Sequence, residues 1–570
     1  MAGIASFLIG LKARLSAAPF TKAIRDPVAA QEDLLRTMME RNRDTEYGRE
    51  HGFTEVRNLA DYGKRVPVID YEDIRERVDR VTRGEKNVLT AEDPVLFAQT
   101  SGTTGSPKYI PVTPTCQQGG GMTVWLHYAR KDHPDMFAGK AITIVSPAIE
   151  GHTEAGLPFG STSGMVVKEM PKIVQSAYAV PYDVYEIHHY KAKYYALLRL
   201  GLDQVVTFLA TANPSSILKL AEMAEAHAEG LIRDVRDGSL SRELEVPPEI
   251  RRVVEARIRK SPQRARELEA MRERRGGKLL PADYWPRMAL LGAWKGGTVG
   301  AYIDRLHDWY DPDRRGMVAV RDMGYLASEA RMSIPVSDHG AGGVLTVHLN
   351  VFEFVPAEEV DDRPEERQAW TFLGVADLEV GREYYIFLTT TGGLYRYDIN
   401  DVIEVVDSYQ QTPVVVFRRK GRGMTNLTGE KLSVNQVIEA IARAGQAVGT
   451  EASHFRAEPD VGRSLYVFKV EFAAGLPAEM RFAFLKAVDD ALGEVNIEYQ
   501  AKRASGRLKP PALQVMRGGW YERGKQRLVA EGKRLFQAKT VLLDAKAGYR
   551  PEADELEAEE WLLENGSPTP

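Results

Sequence analysis

Thr100-Ser101-Gly102-Thr103-Thr104-Gly105-Ser106-Pro107-Lys108 puts five hydroxyls, two glycines and a lysine into nine residues. It follows the apolar run Pro94-Val95-Leu96-Phe97-Ala98, which reads as a buried strand or its end. Glycine lets backbone N–H groups approach an oxyanion closely, because no Cβ stands in the way. The hydroxyls add donors, and Lys108 adds a mobile positive charge. Together they suit the oxygens of a phosphate chain. A nucleotide P-loop ends in Gly-Lys-Ser/Thr and runs straight into a helix. Here Pro107 precedes the lysine, and Tyr109-Ile110-Pro111-Val112-Thr113-Pro114 follows it. Pro111 and Pro114 lack the N–H groups of a helix interior, so the segment after the loop is expected to be extended. A plain surface loop that carries a lysine by chance is the competing reading.

Composition narrows the function classes. A chain of 570 residues has room for about four units of average size. With 44% hydrophobic and 27% charged residues it has an ordinary globular composition. The net charge of -5 supplies no basic field for nucleic acid. The arginine-rich stretch from Arg251 to Lys278 is interrupted by Glu255, Glu267, Glu269 and Glu273, which suits a solvated helical face with ion pairs three or four residues apart. Cys116 is the single cysteine, so no disulfide within the chain and no cysteine-type zinc site can form. A small packed side chain is the expectation for it. The run Ile4 to Ile9 is short, lacks a basic flank before it, and is followed by Lys12 and Arg14. It makes a poor signal peptide and cannot span a bilayer, so a docked amphipathic helix and a cytoplasmic protein are expected.

Along the chain, residues 27–45 and 70–80 have helical spacing. Strands are expected at Ala141–Ser146 and Gln204–Leu209, helices at Lys191–Leu200 and Ile217–Leu231, and a loop at Gly156–Gly164. Pro214 fits a first helical turn. This strand–helix alternation predicts an α/β layer fold. The middle of the chain carries the apolar runs Met288–Leu291, Val318–Val320 and Val344–Val347. From Glu383 to Val416 the pattern switches to strands separated by turns, a β-rich end to the first body. Arg418-Arg419-Lys420-Gly421-Arg422-Gly423 reads as a hinge. After it come a helix at Val434–Arg443, a strand at Leu465–Phe472, a helix at Ala478–Leu492, a strand at Leu513–Met516 and a helix at Lys525–Leu535. The expected organisation is a large domain over residues 1–417, a hinge at 418–422, a small α+β domain over 423–550 and an acidic tail over 551–570. Glu552 to Glu564 is expected to form one surface helix, with residues 565–570 disordered.

Four further segments complete a nucleotide site. In Met323-Gly324-Tyr325-Leu326-Ala327-Ser328-Glu329 a tyrosine can stack on a purine, and a glutamate can hold Mg²⁺ through hard oxygens. Phe352-Glu353-Phe354-Val355-Pro356 is a strand with both phenylalanines on the core face and Glu353 opposite. Leu394-Tyr395-Arg396-Tyr397-Asp398-Ile399-Asn400-Asp401-Val402 ends in an aspartate that can accept both ribose hydroxyls. Asn426-Leu427-Thr428-Gly429-Glu430-Lys431-Leu432 follows the hinge. Singly, each has a bland alternative: a core tyrosine, a core strand, a turn aspartate.

In this order and at these intervals the segments resemble the adenylate-forming superfamily of acyl-CoA synthetases, peptide-synthetase adenylation domains and luciferases. The chain is most similar to one branch, the acyl-acid amido synthetases related to the plant auxin- and jasmonate-conjugating enzymes. That likeness rests on Tyr325 to Glu329, Phe352 to Pro356, Tyr395 to Val402 and Gln537-Ala538-Lys539, helped by Trp285-Pro286, Tyr302 and Leu306. It runs over about residues 30 to 545. Two positions depart from the branch pattern. Ala327 stands where a serine is usual, and Asn400 where glycine precedes the ribose-binding aspartate. Asparagine tolerates a left-handed backbone, so the second change is mild.

The resemblance implies a mixed-sheet large domain with a β-rich subdomain, a small mobile domain, and an ATP- and Mg²⁺-dependent ligase. It would adenylate a carboxylic acid and pass the acyl group to an amino acid or other amine. It also implies roles. Thr100, Ser101, Gly102, Thr103, Thr104 and Gly105 would take the phosphates, with Lys108 as a supporting charge. Tyr325 and Ser328 would line the nucleotide, Glu329 would hold Mg²⁺, and Asp401 would bind ribose. Lys539 is the candidate lysine for the transferring oxygens, with Lys431 as its competitor. An acyl-CoA ligase and a non-catalytic nucleotide-binding protein remain the alternatives. Trp125, Leu126 and Tyr128 suggest an apolar or aromatic acid. His188, His189, His339 and His348 are expected to be hydrogen-bonded structural histidines, and Glu358, Glu359, Asp361 and Asp362 a solvated turn.

Overall fold

A computed structural model describes residues 2–100, 108–118, 120–296, 301–363, 366–473, 475–521 and 523–524, with 543, 555–556, 560–564 and 567–569. The fold is mixed α/β. The described residues divide into two compact units, the first running to Thr100 and from Lys108 to Arg418, the second beginning at Arg419.

The first unit opens with two helices, α1 (Ala2–Ala23) and α2 (Pro27–Asn42). Asp26 caps α2 by accepting from the Ala29 N–H, and Pro27 occupies the first turn, where no N–H is needed. The helix Tyr71–Thr82 starts at a capping box of Asp70 and Asp73. Its Tyr71, Ile74, Val78 and Val81, spaced three and four apart, all face the core.

Three sheets follow. Strands β1 (Leu96–Thr100) and β2 (Lys108–Val112) form an antiparallel pair. They belong to a sheet ordered β2-β1-β5-β4 with β4 (Gly151–His152) and β5 (Pro158–Gly160). β3 (Lys140–Ile144), β6 (Val206–Thr211), β7 (Leu290–Gly292) and β8 (Ala319–Arg321) make a wholly parallel sheet in that order. Its strand–helix units include Tyr190–Gly201 and Pro214–Ala226. The third sheet is ordered β11-β12-β13-β14-β10-β9. It contains β9 (Ser333–Ile334), β10 (Gly343–Leu345), β11 (Val351–Pro356), β12 (Glu383–Thr389), β13 (Tyr397–Tyr409) and β14 (Thr412–Lys420).

Several local expectations are corrected. The helix beginning at Pro214 stops at Ala226. His227 leaves helical geometry, and a second helix, Ala228–Asp237, sends Leu231, Ile232 and Val235 into the core around the parallel sheet. Gly156–Gly164 is not all loop. It contains β5 and the start of the Thr162–Lys168 helix, capped by Ser161. Its glycines serve close approach, since a Cβ on Gly160 would lie 2.3 Å from the Ala148 oxygen and one on Gly164 2.4 Å from that of Ser146. The basic segment after Phe417 is strand as far as Lys420. Glu358 and Glu359 lie on a short helix, Ala357–Asp362, where Glu358 pairs with Arg382 and Glu359 with Arg363, each at 2.6 Å.

The second unit pairs β15 (Met424–Thr425) with β16 (Leu432–Ser433). A larger sheet is ordered β17-β18-β19-β20-β21. These are Ala452–Asp460, Leu465–Phe472, Ala512–Met516, Trp561–Glu564 and Ser567–Thr569. Helix Val434–Val448 starts at the Ser433–Gln436 capping box and ends at Gly449, φ +68°. Together with helix Ala478–Val495 it buries Val437, Ile441, Phe484, Leu485 and Val488. The acidic tail is corrected twice: Trp561–Glu564 is a strand beside β19, and residues 567–569 pair with it. The expected helix at Lys525–Leu535 lies outside the described residues.

Candidate active site

β1 and β2 pair in a register that sets Thr100 opposite Lys108. Both ends of the glycine–hydroxyl segment are therefore fixed by one hairpin. Ser101, Gly102, Thr103, Thr104 and Gly105 themselves lie outside the described residues. The strand after the segment is extended, as its prolines require. Tyr71 steadies it: the Tyr109 N–H donates to the Tyr71 hydroxyl at 2.8 Å. The Lys108 ammonium stands 5.2 Å from the centre of the Tyr71 ring, a cation–π distance.

The Met323–Glu329 segment is built on Asp322. This buried carboxylate accepts from the Gly324 N–H at 2.6 Å and the Lys295 N–H at 2.5 Å. Burial pushes its pKa up to about 6 even so. The Trp125 indole donates to the Asp322 carbonyl at 2.7 Å, and the Trp294 indole to that of Gly324 at 2.9 Å. Gly324 has φ +82°, and a Cβ there would lie 2.3 Å from the Ser333 oxygen. The turn thus aims Tyr325 inward.

Tyr325 and Asp401 meet. The phenol donates to Asp401 Oδ2 at 2.5 Å, although 76 residues separate them in sequence. Both are buried. Burial first, then the Asp401 charge, raises the Tyr325 pKa well above that of a free phenol, so the proton stays on the tyrosine. Its ring lies 5.5 Å from that of Phe417. Glu329 adds its field to Tyr325 and to buried Tyr397, whose pKa is likewise raised, first by burial. Glu329 Oε2 is buried and has no hydrogen-bond partner among the described residues. An orphaned carboxylate oxygen suits a hard cation, so Glu329 could supply one ligand to Mg²⁺, whose other ligands would be phosphate oxygens and water. Tyr325 and Asp401 thus form one buried pair, within reach of the Glu329 charge, with Ser328 and Glu329 on the turn that follows Tyr325.

The Phe-Glu-Phe strand has another use. Phe352 and Phe354 are core. Glu353 is buried too, not solvated: Arg396 Nε donates to its Oε2 at 2.9 Å. Arg396 Nη1 also donates to the carbonyls of Gly63 at 3.0 Å and Val66 at 2.9 Å. The ion pair fastens the Leu394–Val402 segment to β11. Asn400 has φ +57°, the left-handed backbone expected of it, and its N–H donates to Asp398 at 2.8 Å.

In the second unit, Lys539 lies outside the described residues. Lys431, its competitor, has φ +48° in the turn before β16. Beside it, Glu430 is fully buried, accepting from the Leu427 N–H at 2.6 Å, the Thr428 N–H at 2.8 Å and the Tyr466 phenol. Lys502 packs near Gly429, and burial lowers its pKa to about 8.

Some candidates change character. Trp125 is fully buried and tied to Asp322, so it belongs to the frame of the turn. His189 caps a helix, accepting from the Ala192 N–H at 3.3 Å. His348, expected to be hydrogen-bonded, has no such partner among the described residues for either ring nitrogen. It lies 5.3 Å from the Phe20 ring, and burial lowers its pKa to about 4. Cys116 is a packed side chain, 3.1 Å from the Thr391 hydroxyl. Among the described residues no group of three or more His, Cys, Asp or Glu could hold a metal. The sequence reading missed Asp322 and Arg331. An aspartate two residues before a glycine is an Asx-turn signal that could have flagged the first. Arg331 donates to the Met323 carbonyl at 2.8 Å, and burial lowers its pKa to about 10.

Residues 17–314 match the GH3 family N-terminal domain, 343–420 the GH3 family central domain and 435–546 the GH3 family C-terminal domain. Indole-3-acetic acid-amido synthetase GH3.10 of Arabidopsis thaliana is 23% identical over 555 residues, covering 90% of this chain and 91% of that protein. Jasmonoyl--L-amino acid synthetase GH3.5 of Oryza sativa subsp. japonica is 23% identical over 551 residues, covering 91% and 93%. Among solved structures, the GH3.15 acyl acid amido synthetase has the same fold at 20% identity, with a TM-score of 0.63 over 95% of this chain and 96% of that one. With all three domains matched in order, the chain belongs to the GH3 family.

Proposed function

We propose that the chain is an ATP-dependent, AMP-forming ligase that joins a carboxylic acid to an amino acid or similar amine. One observation carries the proposal: in a chain of the GH3 family, the candidate residues Tyr325 and Asp401 meet through a buried hydrogen bond, with the Glu329 charge acting on the same phenol. Relatives named as auxin- and jasmonate-conjugating synthetases favour an amine acceptor over a thiol.

In the first half-reaction a carboxylate oxygen of the acid bonds to the α-phosphorus of ATP. The bond from that phosphorus to the pyrophosphate oxygen breaks, giving an acyl-adenylate. In the second, the amine nitrogen bonds to the activated carbonyl carbon, the C–O bond to AMP breaks, and the nitrogen loses a proton. The first step is mostly positioning and charge neutralisation. Residues 100–105 would take the phosphate oxygens, with Lys108 adding charge at the hairpin end. Asp401, oriented by the Tyr325 phenol, would accept the ribose hydroxyls, with Ser328 alongside. Glu329 would hold Mg²⁺, which when bound offsets phosphate charge. Lys539 would meet the transferring oxygens, with Lys431 the competing candidate. The hinge would lie at 418–422, between a domain of residues 1–417 and one of 423–550, so that the small domain serves the two half-reactions in turn. We take the cytoplasm as its compartment, in keeping with one cysteine.

Acid-dependent ATP–pyrophosphate exchange tests the first half-reaction, and amide formation with mixed amino acids, against thioester formation with CoA, tests the second. No exchange across a broad acid panel overturns the proposal. Thioester as the sole product overturns its second half. Lys539→Ala is expected to suppress exchange far more than use of pre-made acyl-adenylate. Equal loss in both would shift the role to Lys431.

A further inference from the structure

Helix α1 is apolar on two sides. One face buries Ile9, Ala13, Ala17 and Phe20 against the body of the first unit. The opposite face exposes Phe7, Leu11 and Leu15, at 66%, 46% and 67%. Their spacing of four places them in one stripe along the helix. A helix apolar all round is normally buried all round, so the outer stripe lacks a cover.

Its charges point to what covers it. No acidic residue precedes Asp26, whereas Lys12, Arg14, Lys22 and Arg25 are all cationic. In a chain of net charge -5 this is a local reversal of sign. Among the described residues many arginines are ion-paired, such as Arg36, Arg75, Arg80 and Arg275, but none of these four cations has a carboxylate partner. Just beyond the stripe lies a groove of about 350 Å³ lined by Arg14, Thr21, Lys22, Arg25 and His127, with no carboxylate in its walls. The groove offers an anion the three cations Arg14, Lys22 and Arg25, with the His127 imidazole beside them.

We propose that this face docks on an anionic lipid bilayer, with Phe7, Leu11 and Leu15 in the acyl boundary and the basic groove on a headgroup phosphate. An apolar stripe beside cations is the pattern of helices that lie in a membrane interface. A second copy of the chain is the weaker occupant. A twofold pairing through α1 would bring eight like charges together with no carboxylate on the helix to offset them. The docking is peripheral, because no helix among the described residues is long and apolar enough to cross a membrane.

The test is sedimentation of the full chain with vesicles of phosphatidylcholine alone or mixed with phosphatidylglycerol. The expected result is binding to the mixed vesicles that weakens as salt rises. Phe7→Ser with Leu11→Ser and Leu15→Ser should abolish it. Arg14→Gln with Lys22→Gln and Arg25→Gln should weaken it on the order of a hundredfold, at about fivefold per cation near an anionic surface. Both variants should keep wild-type ATP–pyrophosphate exchange and an unchanged thermal midpoint, which separates lost docking from lost folding. Equal binding to neutral vesicles, no binding to either, or undiminished binding by the variants would overturn the proposal. So would a concentration-dependent dimer that Leu11→Ser dissociates while vesicles capture nothing.

Discussion

Tyr325→Phe removes one oxygen and nothing else from the centre of the site. The ring keeps its packing on Phe417, and no sizeable cavity opens. What disappears is a 2.5 Å hydrogen bond from a buried phenol to a buried carboxylate. Hydrogen bonds to charged groups contribute about 1.5–3 kcal/mol net. The urea midpoint should fall by that amount of stability. If the same bond orients Asp401 for ribose, KM for ATP in the exchange assay should rise by up to roughly 10- to 150-fold, the equivalent of that free energy. The maximal rate should change far less. Asp401→Asn removes the charge from the other end of the bond, so the double variant should lose much less than the sum of the singles. A variant with unchanged midpoint and unchanged KM would refute the bond's importance, and strictly additive losses would refute the coupling of the two residues.

Three further outcomes are expected. Glu353→Met leaves the Arg396 guanidinium buried without its counter-charge and should cost about 3–5 kcal/mol in urea unfolding, while pairing it with Arg396→Met should recover part of the loss. His348 is held neutral down to about pH 4 against 6.5 for a free imidazole. Between those values the unfolded chain binds a proton that the folded chain does not, so stability falls as pH drops from 6.5 towards 4. The loss reaches about 3 kcal/mol, and His348→Leu should flatten that part of the profile in urea titrations at stepped pH. Gly324→Ala strains a positive φ and drives a methyl into the Ser333 carbonyl. It should cost more than ~1 kcal/mol of stability and weaken ATP–pyrophosphate exchange together with it.

The frame was legible where one local rule dominates. The spacing over residues 70–80 announces a helix, Pro214 a first turn, and Leu465–Phe472 a buried strand, and the structure has each of them there. Reading failed where pairing or packing decides. Ala452–Asp460 alternates polar and apolar residues too weakly to read as a strand, and it exists because β18 offers it a ladder. Trp561–Glu564 looked like an acidic helix until β19 supplied an edge. The site shows the same division. Tyr325, Glu329 and Asp401 are candidates by their order in the sequence, but the contact between the first and third depends on a fold that joins segments 76 residues apart. Asp322 and Arg331 escaped because their work is to hold a turn, and the residue types alone do not report that.

The clasp between Glu353 and Arg396 bears on how members of this lineage are to be recognised. Its partners are buried, pair with each other and tie distant segments together, which secures the architecture whether or not turnover survives. A descendant that had lost its chemistry would still need the Phe-Glu-Phe strand in order to fold. That signature certifies ancestry, and the orphaned oxygen of Glu329, on the role proposed for it, is the better witness to a working enzyme.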